Sequence, residues 1–144
     1  MTKKVIVTGV TGQDGSHMVD YLLQNTNYKI YGTARRLSVK NHENILHLED
    51  EPRFELIDMD LNDAHSIRDI IINLQPDFFI NFAAQSFVAG SWNYPIQTWE
   101  TDSSAVLHIL ESIRNKNVRD QLVEDLYLYA SSQSRFSSAY YKLE

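Results

Sequence analysis

Apolar residues fall along this chain in two rhythms that take turns. Short β-branched or aromatic runs read as strands: Val5-Ile6-Val7, Lys29-Ile30-Tyr31-Gly32-Thr33-Ala34, Arg53-Phe54-Glu55-Leu56-Ile57-Asp58, Phe78-Phe79-Ile80-Asn81-Phe82 and Leu126-Tyr127-Leu128-Tyr129-Ala130. The stretches between them carry helical spacing. Met18 to Leu23 opens one helix, Asn25-Thr26-Asn27 turns the chain, and Asn41 to Glu49, with Ile45, Leu46 and Leu48, predicts a short helix. Ile67, Ile70, Ile71 and Leu74 make the buried face of another helix, which Pro76 ends. Trp92, Tyr94 and Pro95 read as a turn into a long helix buried along Val106, Ile109, Leu110 and Ile113. The continuous run Phe78–Phe82 predicts a central strand covered on both faces. Strands alternating with helices imply parallel strands with helices on both sides. Right-handed crossovers then give an α/β, doubly wound parallel sheet of about five strands in the order 3-2-1-4-5.

The first strand leads into Gly9-Val10-Thr11-Gly12-Gln13-Asp14-Gly15-Ser16, and the first helix follows at once. Strand, glycine loop, helix is the context in which such glycines hold a dinucleotide. Gly9 allows the turn out of the strand, Gly12 lets a pyrophosphate approach the backbone, and Gly15 lets the helix pack closely. The helix N-terminus would supply N–H groups and the positive end of its dipole. The spacing is Gly-x-x-Gly-x-x-Gly rather than Gly-x-Gly-x-x-Gly, and no Gly-Lys-Ser/Thr follows, which excludes a nucleoside-triphosphate P-loop. A glycine-rich turn without a ligand is the plainer alternative.

Three further strand ends carry candidate chemistry. A Rossmann unit for NAD places an acidic residue at the end of the second strand, whereas this chain has Arg35-Arg36-Leu37-Ser38. A guanidinium clamps a 2′-phosphate through paired, charge-assisted bonds, which favours NADP; a solvated basic pair is the alternative. Asp60-Leu61 follows the third strand, where an adenine edge would be held, although Asp60 or Asn62 would also serve to cap the next helix. Phe82-Ala83-Ala84-Gln85-Ser86 ends the fourth strand, and its small residues leave space for a ligand or for close helix packing.

Composition adds limits. With 144 residues and 43% hydrophobic residues the chain can bury one core. A formal charge of −6 argues against a general nucleic-acid partner. No cysteine is present, which removes thiolate chemistry and disulfides and suits the cytoplasm. The apolar runs are too short to span a membrane, and Met-Thr-Lys-Lys leaves no room for a signal peptide before the first strand.

Four segments together resemble the GDP-mannose 4,6-dehydratases of the extended short-chain dehydrogenase/reductase family. They are Gly9 to Ser16, Tyr31 to Ser38, Asn81 to Trp92 and Tyr129 to Ser132, with Thr-Gly-Gln-Asp-Gly the most specific part. The resemblance runs to about Phe136, so residues 1–136 are expected to form an NADP-binding Rossmann domain and 137–144 a tail of natural or vector origin. It implies NADP contacts from Gly9, Val10, Thr11, Gly12, Gln13 and Asp14, from Arg35, Arg36, Leu37 and Ser38, from Asp60 and Leu61, and from Phe82, Ala83, Ala84, Gln85 and Ser86. It implies a catalytic hydroxyl at Ser132 that polarises the sugar C4 oxygen. The family oxidises C4, takes the C5 proton, expels water from C6 and returns the hydride to C6. The implied partners are GDP-mannose and, as a homo-oligomer, other copies of the chain.

The chain departs from that pattern at the acid–base groups. The family carries a Glu two residues beyond the polarising hydroxyl, where this chain has Ser134. A Tyr-x-x-x-Lys pair is missing, since Tyr140 and Tyr141 stand too close to Lys142. Gln97 occupies a place where members can carry a cofactor-contacting tyrosine, and the sugar-nucleotide domain is expected to be absent. The expectation is a dehydratase cofactor domain, truncated before the substrate domain and inactive alone. The alternatives are a non-catalytic NADP(H)-binding module and another extended short-chain nucleotide-sugar reductase or epimerase. If the chain stops near Glu144, the fifth strand is expected to lie at a sheet edge, and self-association is expected through that edge or through the helices that extended family members use to dimerise.

Overall fold

A computed structural model describes residues 2–36, 42–120, 126–129 and 140–142, with side chains as far as residue 115. The elements are β1 (Lys4–Thr8), α1 (Gln13–Asn25), β2 (Lys29–Ala34), a 3₁₀ helix (Glu43–Leu48), β3 (Phe54–Asp58), α2 (Ala64–Leu74), β4 (Phe78–Asn81), α3 (Val88–Asn93), α4 (Pro95–Trp99), a π-helical segment (Glu100–Ser104), α5 (Ala105–Asp120), β5 (Leu126–Tyr129) and β6 (Tyr140–Lys142). The sheet runs β3-β2-β1-β4-β5-β6, so the expected order 3-2-1-4-5 is present and parallel throughout. β6 adds an antiparallel strand beyond β5, pairing Tyr127 with Tyr141. The expected exposed edge at Leu126–Ala130 is therefore corrected: another strand of the same chain occupies it.

Period-two alternation sends successive strand residues to opposite faces, and two cores result. Ile6 and Phe79 join Met59, Leu61, Ile67, Ile71, Ala105, Ile109 and Ile113 beneath α2 and α5. Val5, Val7, Ile30 and Ile80 join Val10, Val19, Leu22, Ile45 and Leu48 beneath α1 and the 3₁₀ helix. Ile70, Leu74 and Leu110 are half-buried against the first core, as the helical spacing predicts.

Helix boundaries differ from expectation in two places. The N-cap of α2 is Asp63, not Asp60 or Asn62; its carboxylate accepts from the N–H groups of His65 and Ser66. Asp60 instead turns its carboxylate onto the N–H of Asn62 at 2.9 Å. The segment read as a turn at Trp92 is helical, and a π segment divides the long helix that follows Pro95. Among the described residues no helix is long and apolar enough to cross a membrane, and no acidic or histidine cluster could hold a metal ion.

Candidate functional site

The carboxyl ends of β1, β2, β3 and β4 open onto a cavity of about 730 Å³. Parallel strands end on the same side, and the order reverses beside β1, so a crevice forms where open α/β sheets take ligands. Its floor is the glycine loop. Gly9 has φ +68°, and a Cβ there would stand 2.9 Å from the Ala83 nitrogen. A Cβ on Gly15 would run into the Gly9 carbonyl, so α1 is seated directly on the loop. Gly12 differs: its φ of −82° suits any residue, and a Cβ would meet only the Gly9 oxygen, at 3.3 Å. No side chain caps α1 at Gly12, and Gln13, Asp14 and Gly15, which open the helix, line the cavity. Asn44 steadies the loop from outside by donating to the Thr11 carbonyl at 2.8 Å.

The turn after β4 forms the opposite wall. Thr8 and Asn81 are register partners and are both buried. The Thr8 hydroxyl donates to Asn81 Oδ1 at 2.5 Å and accepts from the N–H groups of Phe82 and Ala83, each at 3.0 Å. One donor and two lone pairs are thus all engaged. The Gln85 N–H donates to Asp102 Oδ1 at 2.7 Å. Burial pushes the Asp102 carboxyl above the usual carboxylate range, against the opposing effect of the Gln85 hydrogen bond. Thr101 donates to Asn62 Oδ1 at 3.1 Å, joining the π segment to the turn after β3.

The family can be assigned on this geometry and on sequence. A model of the GDP-mannose 4,6 dehydratase family matches residues 6–139. The chain belongs to the GDP-mannose 4,6-dehydratase family. A GDP-mannose 4,6-dehydratase of Vibrio cholerae is 39% identical over 120 residues, covering 79% of this chain and 32% of the relative. GDP-mannose 4,6 dehydratase 1 of Arabidopsis thaliana is 34% identical over 137 residues, covering 91% of this chain and 38% of the relative. The chain thus spans about a third of the length of the curated relatives it matches. Among solved structures, the Bordetella bronchiseptica enzyme WbmH in complex with NAD⁺ matches with a TM-score of 0.65 and 25% identity, over 82% of this chain and 37% of that one.

Within this chain, thirteen of the expected residues line the cavity together: Gly9, Thr11 to Asp14, Arg35, Asp60, Leu61 and Phe82 to Ser86. Val10 does not; its side chain is in the core, and its N–H is turned to the Thr33 carbonyl at 3.4 Å. Arg36 is exposed and outside the lining. Among the described residues neither arginine makes an ion pair. Leu37, Ser38 and the catalytic candidate Ser132, with Ser134, lie outside the described residues. The cavity also takes in Thr33, Ala34, Met59, Asn62, Tyr94, Gln97 and Thr101, of which only Gln97 stands in the sequence at a cofactor-contacting place. Tyr94, Gln97 and Thr101 sit three and four apart, a spacing that shares one helix face.

Proposed function

We propose that this chain is the cofactor-holding part of a nucleotide-sugar 4,6-dehydratase acting on GDP-mannose in the cytoplasm, that its cofactor is NADP(H), and that it does not complete the reaction alone. The observation that carries the reading is Arg35, a cation just past the end of β2 that forms no ion pair among the described residues, on the same cavity as the glycine loop. A carboxylate at that place would accept from ribose hydroxyls and repel a 2′-phosphate. The residues fit the group: the α1 N-terminus is uncapped, Gly12 faces the cavity with almost nothing over it, and the volume suits a cofactor-sized ligand. When bound, the nicotinamide supplies the hydride acceptor and donor for both redox steps.

The chain's own residues then divide the work. Gln13 and Asp14 hold the pyrophosphate through backbone N–H groups, the Gly12 N–H being donated to the Gly9 carbonyl at 3.0 Å, with Arg35 at the 2′-phosphate. Asp60 and Leu61 flank the adenine, and the turn Phe82–Ser86 excludes water beside the reacting end. Ser132 is proposed to donate to the sugar C4 oxygen. Ser134 cannot serve as an ionised acid–base group near neutral pH, so removal of the C5 proton lacks its base. The same residue favours a second reading, a module that holds NADP(H) without turnover.

Titration with NADPH and NADH separates these readings from a ligand-free scaffold. Arg35→Ala should weaken NADPH by about 1.5–3 kcal/mol, as for a hydrogen bond to a charged group, and leave NADH nearly unchanged. Equal losses for both cofactors would refute the assignment. Incubation with GDP-mannose and NADP⁺ should yield no product lighter by one water; such a product would overturn the proposed inactivity.

A further inference from the structure

The π segment between α4 and α5 faces the cavity, and its contacts do more than continue a helix. Its wider turn is closed by the Ala105 N–H, which donates to the Glu100 carbonyl five residues back. Thr101 lines the cavity and holds Asn62 at the exit of β3, while Asp102, next in sequence, holds Gln85 at the exit of β4. Asn62 and Gln85 both line the cavity themselves. Two consecutive side chains of one short segment therefore grip two walls of the same crevice.

We propose that Glu100–Ser104 is a clasp for this cavity, in which Asp102 and Thr101 are positioning residues that fix the turns after β4 and β3. The proposal rests on the reading that the cavity holds NADP(H). The turn Phe82–Ser86 is short, and Ala83 and Ala84 carry no polar side chain that could hold its backbone. Thr8 pins its first two N–H groups from the sheet, and Asp102 pins the Gln85 N–H from the helical side. With both grips in place the wall is set before a ligand arrives, and a preformed wall spares the ordering that binding would otherwise require. Asp102 keeps its grip although it is half-buried and its carboxyl is pushed upward by that burial. A charged acceptor makes the stronger bond to a backbone N–H.

The test compares wild type with Asp102→Ala and Asp102→Asn, reading backbone amide exchange at Gln85 without ligand and the Kd for NADPH. Asn keeps an oxygen at the accepting position and Ala does not. Asp102→Ala should speed exchange at Gln85 and raise the NADPH Kd, each by about tenfold or more, the loss expected for one charge-assisted bond. Asp102→Asn should restore both to within about threefold of wild type, since the acceptor returns. Thermal melting of each variant identifies one that fails to fold, and the Asn variant then decides. Unchanged exchange and Kd in Asp102→Ala would overturn the clasp, as would an Asn variant no better than Ala. A wild type that binds no NADPH would overturn the cofactor reading instead, and exchange at Gln85 would still judge the clasp.

Discussion

Gly12 and Gly15 stand three residues apart in one loop, yet alanine at each should fail in a different way. At Gly15 an added Cβ meets the Gly9 carbonyl, the Gly9 carbonyl carbon and the Val10 Cα, all backbone atoms that no rotamer change can move. Overpacking of this kind costs about 1–3 kcal/mol or more. The gain in helix propensity from Gly to Ala, about 1 kcal/mol, offsets part of it. At a net cost of about 2 kcal/mol and roughly 4 °C per kcal/mol for a chain of this size, Tm should fall by about 8 °C. At Gly12 the backbone is already extended, and the nearest atom to a new Cβ is the Gly9 oxygen at 3.3 Å. Loss of unfolded-state freedom stabilises by about 0.4–1 kcal/mol, and a poorer N-cap costs a similar amount. Stability should therefore stay within about 1 kcal/mol of wild type. The methyl group instead stands over the uncapped α1 N-terminus, where a phosphate would sit. Losing one charge-assisted contact there weakens NADPH by about ten- to a hundredfold. Circular-dichroism melts and NADPH titrations on both variants check this. Wild-type affinity in Gly12→Ala would refute the phosphate cradle, and wild-type stability in Gly15→Ala would refute the close seating of α1.

Other perturbations probe the walls and the surface. Thr8→Val strips two half-buried N–H groups and the buried Asn81 of their partner, and should cost about 1–3 kcal/mol in a denaturant melt, with Thr8→Ser close to wild type; a Val variant as stable as Ser would contradict the hydroxyl's role. Asp102 binds its proton at higher pH folded than unfolded, so its contribution favours folding below that range and is lost as pH rises through its raised folded value. The stability of Asp102→Asn should therefore gain on wild type toward neutral pH and lose that gain toward acid; a pH-independent difference would contradict the raised carboxyl. Self-association, no longer argued from a bare β5 edge, is expected through the exposed Phe87, Trp92, Ile96 and Trp99. Sedimentation should show dimers or larger, and a monomer at high concentration would contradict it.

Much of this architecture was legible because parallel α/β order is written in alternating periodicities. Ile6 against Val5 and Val7, and Phe79 against Ile80, assign the faces of the sheet without reference to anything distant in sequence. The glycine loop was legible because backbone demands at Gly9 and Gly15 exclude other side chains. Other features depend on register or tertiary placement. Asp60, Asn62 and Asp63 are all good N-caps, and only the backbone after β3 decides that Asp63 caps while Asp60 closes a turn. α3 carries exposed Val88 and Trp92, so its apolar residues do not mark a buried face. The π segment changes which residues point inward without changing composition, and this hid Thr101 and Asp102. Strand-end logic would have found Thr33 and Asn62, and the spacing of Tyr94, Gln97 and Thr101 was a helical signal left unused.

Calorimetric titration of the wild-type chain with NADPH and, separately, NADH tests the central claim most directly, because it asks whether the glycine loop and Arg35 work as one site. One saturable site that binds NADPH at least about tenfold more tightly than NADH, the difference one clamped phosphate should make, is the result expected. No saturable heat, or NADH bound as tightly as NADPH, would contradict it.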